Sequence, residues 1–592
     1  MKLSMLQELP TSREMIDVFG GYNHNLRISE GEFYDMKNLT STDYPVLSPR
    51  PHRGVYNDIN VTNPQGMIEK DALCYVDGRY FVINEYRIDM GLSTKAEDCP
   101  KKLVSMGAYV IIMPDKMYIN THPNEDGKTY DYGKIEASFE TSGNTYFELC
   151  KIDGTAYKNV YEGESAPQNP TDSQLWMDTS SVPNVLKQYS STNSMWISIA
   201  TTYIKISFTG SNVLPFNEGD GITISGIDKD TYPDLADLNS TMTIQEVGDG
   251  YIVVIGVLDK KITVTEPFSI NRQMPEMDFI IESENRLWGC RYGEDINGNI
   301  VNEIYASKLG DFKNWNTFAG VSTDSYAATV GTDGQFTGAI THLGYPIFFK
   351  ENCMHKVYGN YPANYQIQTT HCRGVQKGCS KSLAIVNEVL YYKARSAVCV
   401  YDGSLPVEIS SALGDVSYSD AVAGAIRNKY YISMKDDKGD YHLFACDTKR
   451  GLWHREDNTH VIDFCACRGE LYFIEAGDAK IKTILGSGTP DTSEVHWMAE
   501  SGIIGAGSPD KKYISRLDVR MLLTVGTRVN FYIEYDSCGK WEHLFTMTGI
   551  KLQSFAVPIR PRRCDHMRIR IEGDGEAKIY SICKTIEQGS DI

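Results

Sequence analysis

Gly344-Tyr345-Pro346-Ile347-Phe348-Phe349, Asn387-Glu388-Val389-Leu390-Tyr391-Tyr392, Asn428-Lys429-Tyr430-Tyr431-Ile432 and Gly469-Glu470-Leu471-Tyr472-Phe473-Ile474 are one phrase written four times. Each is a turn former followed by a burst of aromatic and β-branched residues, the composition of a half-buried strand entered from a tight turn. The turn residues lie 43, 41 and 41 residues apart, the length of one four-stranded propeller blade. The phrase also stands earlier, at Gly78-Arg79-Tyr80-Phe81-Val82-Ile83, Gly107-Ala108-Tyr109-Val110-Ile111-Ile112 and Asn285-Arg286-Leu287-Trp288. The expected fold is all-β, a β-propeller.

Between Gly107 and Asn285 the period fails for 178 residues, so the propeller is expected to carry inserts. The first, 134–203, reads as a hairpin module with Trp176 and Trp196 as aromatic anchors. Its Trp side chains are candidates for stacking a sugar, against the plainer reading of a mini-core. The second, 204–276, alternates apolar and polar residues at Gly221-Ile222-Thr223-Ile224-Ser225 and Tyr251-Ile252-Val253-Val254-Ile255 and reads as a small β-barrel or sandwich. The remaining divisions are an N-terminal arm and entry strands over 1–65, first blades over 66–133, further blades over 277–485, a linker Gly486-Ser487-Gly488-Thr489-Pro490, and a C-terminal β-sandwich over 491–592. The arm before Arg50 is expected to reach a neighbouring subunit.

The chain has 592 residues and a formal net charge of −19. That charge argues against a protein that grips phosphates, because such binding depends on clustered Lys and Arg. It is compatible with a channel wall past which DNA slides. The 14 Cys are scattered and read as reduced core residues, with Cys465-Ala466-Cys467 the weak exception as a zinc pair. Neither a secretory leader nor an apolar run of membrane-spanning length is read from the sequence. The product is expected to be made in the host cytoplasm without a membrane anchor.

No phosphate-binding loop, dinucleotide fingerprint, HExxH or nucleophile elbow is written in the chain. A pair of carboxylates could act across a propeller as acid and base, and Asp324, Asp333 and Asp402 are the candidates. Each sits in a turn-like phrase, and the turn reading outweighs the catalytic one. Asp295-Ile296-Asn297-Gly298-Asn299 resembles a calcium loop but lacks its downstream Glu and reads as a hairpin tip. His355 reads as an ordinary strand residue. No cofactor and no metal is expected. Arg560, Arg562 and Arg563, with Arg568 and Arg570, form the one concentrated basic patch, expected to make ion pairs at an interface or with acids such as Asp565.

Three stretches together resemble the propeller proteins of tailed-phage virions known as stabilisation or tail nozzle proteins, including the tail tubular proteins. They are Asp35-Met36-Lys37-Asn38-Leu39-Thr40 running on to Pro49-Arg50-Pro51; Asn302-Glu303-Ile304-Tyr305-Ala306-Ser307 to Trp315 with Phe348-Phe349-Lys350-Glu351-Asn352; and Tyr535-Asp536-Ser537-Cys538-Gly539-Lys540-Trp541 with Pro558 to Arg568 and Gly589-Ser590-Asp591. The resemblance implies a structural virion protein of the neck or tail. It implies a self-assembled ring, usually of six copies, that extends the portal channel, retains packaged genomic DNA and docks tail fibres beside portal, adaptor or other tail proteins. On that reading the chain is not an enzyme. The alternative is an adsorption protein that binds host surface glycans through Trp176 or Trp196, and a third reading is a glycan-cleaving propeller.

Overall fold

The recurring phrase has a backbone cause. In the computed structural model Glu284 and Asn285, Asn387 and Glu388, Leu343 and Gly344, and Arg468 and Gly469 all have positive φ. Two consecutive left-handed residues make the two-residue hairpin whose twist matches that of the flanking strands. After each turn the strand is buried: Tyr345–Lys350 and Val389–Lys393 each have one residue short of full burial, at the turn end.

The structure describes residues 11–56, 61–210, 213–295, 298–490, 495–507 and 510–588. Among them helical geometry is confined to five short 3-10 turns, so the protein is nearly all β. Seven sheets built from the repeating phrase follow one another as blades of a β-propeller, over 64–89, 102–134, 279–329, 338–371, 384–408, 419–457 and 461–490.

The chain divides into two compact units. The first holds the described residues up to Leu103, Phe348–His355 and Thr369 onward; the second holds Val104–Ile347 and Lys356–Gln368.

In the first unit the last blade is completed from the other end of the chain. Its sheet runs Val461–Cys467, Glu470–Glu475, Ile481–Thr483, then Gly54–Val55, then Thr489–Pro490. The expected linker is therefore partly strand, because Thr489 and Pro490 pair with Val55 and Gly54. Close approach explains the glycine: a Cβ on Gly54 would stand 1.9 Å from the Ser487 carbonyl oxygen. Arg53 locks the segment, paired at 2.8 Å to Asp457 and 3.1 Å to Glu456, with its guanidinium 5.1 Å from the Phe473 ring centroid. A buried, doubly paired guanidinium of this kind becomes a large liability when one partner is removed.

The C-terminal sandwich also recruits the arm. One sheet orders Thr11–Ile16, Ala577–Gln588, Lys512–Leu523 and Gln553–Val557; the other orders Gly21–Tyr22, Glu32–Lys37, His496–Ser501, Met567–Asp574, Arg528–Tyr535 and Glu542–Thr548. Along Lys512–Leu523 alternation buries Leu517, Val519, Met521 and Leu523, and Ile514 on the far side of a register shift between Ile514 and Arg516, the period-2 signature of a strand with one face on a core. The described part of the stretch 1–65, expected as an N-terminal arm and entry strands, pairs with its own chain's sandwich, with Thr11 opposite Glu587. The reason is edge protection, since Ala577–Gln588 would otherwise present unpaired backbone groups. Gly589-Ser590-Asp591 lie outside the described residues.

In the second unit the two inserts are nested, not consecutive as expected. An open eight-stranded sheet spans Ala137–Glu140 to Ser269–Arg272, with Thr145–Cys150 paired to Tyr203–Phe208, and a separate four-stranded module over 160–198 is inserted within it. Phe147, Ile206, Ile222, Ile252, Val254 and Ile270 are fully or almost fully buried in the core of the larger sheet. The buried Arg272 guanidinium pairs with Asp220, whose other carboxylate oxygen accepts a 3.1 Å bond from Asn314 Nδ2. Asn314 Oδ1 in turn accepts from Gly221 N at 2.8 Å, which ties the insert to the loop after the third blade's strand Ile300–Ala306.

Candidate functional site

The module 160–198 has two unlike faces, and strand parity sorts them. Val160–Gly163 runs parallel to Leu175–Asp178, with Tyr161 opposite Trp176; Trp176 is opposite Lys187, and Tyr189 opposite Trp196. One face carries Val160, Leu175, Met177 and Leu186, which pack with Leu149, Ile199 and Val257. That face seats the module on the insert.

The other face carries Tyr161, Trp176, Lys187, Tyr189 and Trp196. Trp176 and Trp196 meet edge to face at 5.4 Å between centroids, and Tyr189 lies 5.3 Å from Trp196. Trp176 is the buried floor of the group: its indole N–H donates to the Gly163 carbonyl at 2.8 Å, and the Lys187 ammonium lies 4.8 Å from its ring centroid. Lys187 also reaches Asp178 at 2.7 Å. With the Ser180 hydroxyl donating as well, at 2.6 Å, these bonds pull the Asp178 carboxyl down to about 2. Tyr161 is 47% exposed and Trp196 half-buried. The chemistry on offer is aromatic ring area beside a fixed ion pair, facing away from the insert's core.

The sequence-based candidates thus separate. Trp176 serves as the small core of the module, while Trp196 presents ring surface with Tyr161 and Tyr189, which the sequence reading did not single out. Their signal was present in the alternation Tyr189 to Trp196 across one tight hairpin, but the parallel partner Tyr161 could not be placed without the register.

The basic patch lies on the C-terminal sandwich. Arg562 pairs with Glu542 at 2.9 Å and lies over the Tyr535 ring; Arg568 and Arg570 both reach Glu500 at 2.8 Å. Arg560 and Arg563 are exposed on the segment leading to Met567–Asp574.

The carboxylate candidates all lie outside the strands, in loops and bends. The Asp324 carboxylate accepts the backbone N–H of Gly320 and Val321, and Asp402 that of Ser404; Asp333 is exposed beside Gly334. Asp295 caps its own hairpin tip through Asn299 N at 2.8 Å, and Ile296 and Asn297 lie outside the described residues. His355 is buried with Nδ1 2.9 Å from the Thr369 hydroxyl, and burial, with Lys350 nearby, pushes it down to about 4. Cys465 and Cys467 share the inward face as expected, and burial pushes the Cys465 thiol up, so the thiolate a metal needs is disfavoured. Among the described residues no group of three metal-ligating side chains is found, and no helix is long and apolar enough to cross a membrane.

The first unit contains a cleft of about 720 Å³ that sequence reasoning missed, because its lining is gathered from distant stretches, chiefly 40–52, 426–456 and 575–578, with Ile484, Leu485, Val495, Leu522 and Thr524. Of the cations that line it, Lys429 is engaged by Thr40 and Thr42, Arg450 by Asp447, Lys578 by Asp43 and Arg50 by Glu456 and Asp457. Burial lowers the Lys429 pKa.

No protein-family model matches the chain, and no curated protein matches it in sequence. Solved structures similar to it include the exo-β-1,3-galactanase of Phanerochaete chrysosporium in complex with galactose, at 9% identity and TM-score 0.21, covering 52% of this chain and 94% of that one. PorZ, a surface component of the type-IX secretion system of Porphyromonas gingivalis, is similar at 12% identity and TM-score 0.26, over 89% of this chain and 77% of that one. A Trypanosoma rangeli sialidase is similar at 11% identity and TM-score 0.18, over 91% and 96%. Glycoside hydrolases among these structures overturn the expectation that the chain is not an enzyme, and at such scores they assign no activity in its place.

Proposed function

We propose that this protein is a surface-exposed adsorption component of a tailed-phage virion that binds host glycans, with the module 160–198 as its recognition element. The observation that carries the reading is the outward face of that module, where Tyr161, Tyr189 and Trp196 surround the buried Trp176. Sugar rings present C–H faces that stack on aromatic planes, and ring hydroxyls bond to flanking charged groups. Asp178 and Lys187 supply that polar flank. The virion setting rests on the resemblance of the opening, the middle blades and the C-terminal strands to phage tail proteins.

The blades and sandwich act as the rigid support, as expected of a site that must hold its geometry against a large surface ligand. The test is a glycan array followed by titration with wall polysaccharide. Binding that drops about 10-fold or more in Trp196→Ala, with the fold intact, is the expected result; undiminished binding in Trp196→Ala and in Tyr161→Ala defeats the reading.

A further inference from the structure

In the C-terminal sandwich the strand Arg528–Tyr535 ends beside the start of Met567–Asp574, with Tyr535 opposite Met567. The residues just beyond are tied across the gap. Asp536 N donates to the His566 carbonyl at 3.0 Å, and the Asp536 carboxylate accepts from Asp565 N at 2.7 Å and His566 N at 3.4 Å. The chain then turns through Asp536 and Ser537 with φ of 51° and 47°, closed by Cys538 N to the Tyr535 carbonyl at 3.2 Å. Asp tolerates this geometry, but a left-handed Ser is held against its preference, and such strain concentrates where side chains are aimed for function.

What the turn aims is the Ser537 hydroxyl. Its Oγ lies 2.7 Å from His566 Nε2, and His566 Nδ1 lies 2.9 Å from Asp565 Oδ2. An ionised carboxylate only accepts, so Nδ1 carries the ring proton and, in the neutral ring, Nε2 is left to accept from the serine O–H. Nucleophile, base and orienting acid therefore stand in the order that nucleophilic catalysis requires. The hydrogen bond from His566 holds the Asp565 carboxyl below its usual range.

We propose that Ser537, His566 and Asp565 form an acyl-transfer site that hydrolyses carboxylic esters, with Ser537 as nucleophile, His566 as general base and Asp565 as the positioning residue. Oγ attacks the ester carbonyl and its proton passes to Nε2. The bond to the alcohol breaks, and the departing oxygen takes that proton. A water, deprotonated by the same nitrogen, then attacks the acyl-serine, releasing the acid and restoring the hydroxyl. Residues 536–540 are all exposed, so the site has no enclosing acyl pocket and suits a small acyl group borne on a larger carrier. The exposed cations Arg562 and Arg563, two to three residues before Asp565, and Lys511, whose charge acts on the Asp565 carboxyl, favour an anionic carrier.

This site goes beyond the glycan-binding reading and does not depend on it, since it uses none of the residues 160–198. The test treats the full chain with an alkyl fluorophosphonate, from which a reactive serine displaces fluoride, and reads intact mass and the labelled peptide. One label per chain at Ser537 is expected. Ser537→Gly, which removes the hydroxyl while suiting the positive φ, abolishes it, and His566→Gln slows it at least about 100-fold. Asp565→Asn slows it, and Asp565→Glu restores part of that rate. A wild-type chain that stays unlabelled, or a label that persists in Ser537→Gly, overturns the proposal.

Discussion

The propeller blades and the insert they carry obey different rules of construction. Apart from the last blade, which borrows Gly54–Val55, a blade is local: Tyr345–Lys350 or Val389–Lys393 starts at its own left-handed turn. The insert is nested: Thr145–Cys150 finds its partner Tyr203–Phe208 only after a complete second module has been made between them. The two regions also differ in chemistry. Blades bury titratable histidines such as His355 and His454, whereas residues 137–272 contain no histidine at all. On the proposed reading, support and recognition fall to these two differently built regions.

The sharpest way to break the comparison is Gly54→Val. A Cβ there meets the Ser487 carbonyl at 1.9 Å, so the last blade must open, at a cost of at least about 4 kcal/mol. Hydrogen exchange should show lost protection over 461–490 and none over 137–272; equal loss in both would mean that the insert is not independent.

Trp176→Ala tests the other side. Removing the buried floor of the module costs about 3 kcal/mol or more locally. Exchange should rise over 160–198 while the blades keep their protection.

Acid separates the regions next. Burial pushes His355 down to about 4 and His454 down to about 3 from an ordinary value of 6.5. The unfolded chain therefore binds protons that the folded one refuses, and stability is lost as pH falls below about 6.5, continuing until the folded values are reached. At pH 5 each histidine subtracts about 2 kcal/mol. The urea midpoint followed by blade fluorescence should fall between pH 7 and 5, and His454→Gln should flatten that slope.

The smallest effect is expected at Arg562→Ala. An exposed pair with Glu542 contributes less than about 1 kcal/mol, so a thermal midpoint that moves by many degrees would show that the basic patch is structural after all.

These contrasts also explain what the sequence could convey. The blades were legible because a hairpin with left-handed residues in its turn favours Asn or Gly there, and such turns recur about every 41 residues, with both turn residues left-handed at 343–344, 387–388 and 468–469 and Arg427 alone at the turn between. The nesting was not legible, because the Phe147 strand and the Ile206 strand read alike whether they pair with each other or with nearer neighbours. The partner of the N-terminal arm could not be read for the same reason, since nothing local says that Thr11 lies opposite Glu587. Of the aromatic face of 160–198, Trp176 and Trp196 could be read and their division of labour could not. Only the register shows that Trp176 is covered by Lys187 while Trp196 and Tyr161 are left with ring surface to offer. Ser537 and His566 were likewise invisible as a pair, being joined by the register of two strands.

The division between support and recognition is tested most directly by titrating purified host wall polysaccharide into the full-length chain and into the Tyr161→Ala, Trp196→Ala double variant, with hydrogen exchange read on both. The account predicts saturable binding to the wild type, protection confined to 160–198, and no binding by the double variant although its blades exchange as before. Protection that falls on the blades or the sandwich instead, or full binding by the double variant, would contradict it.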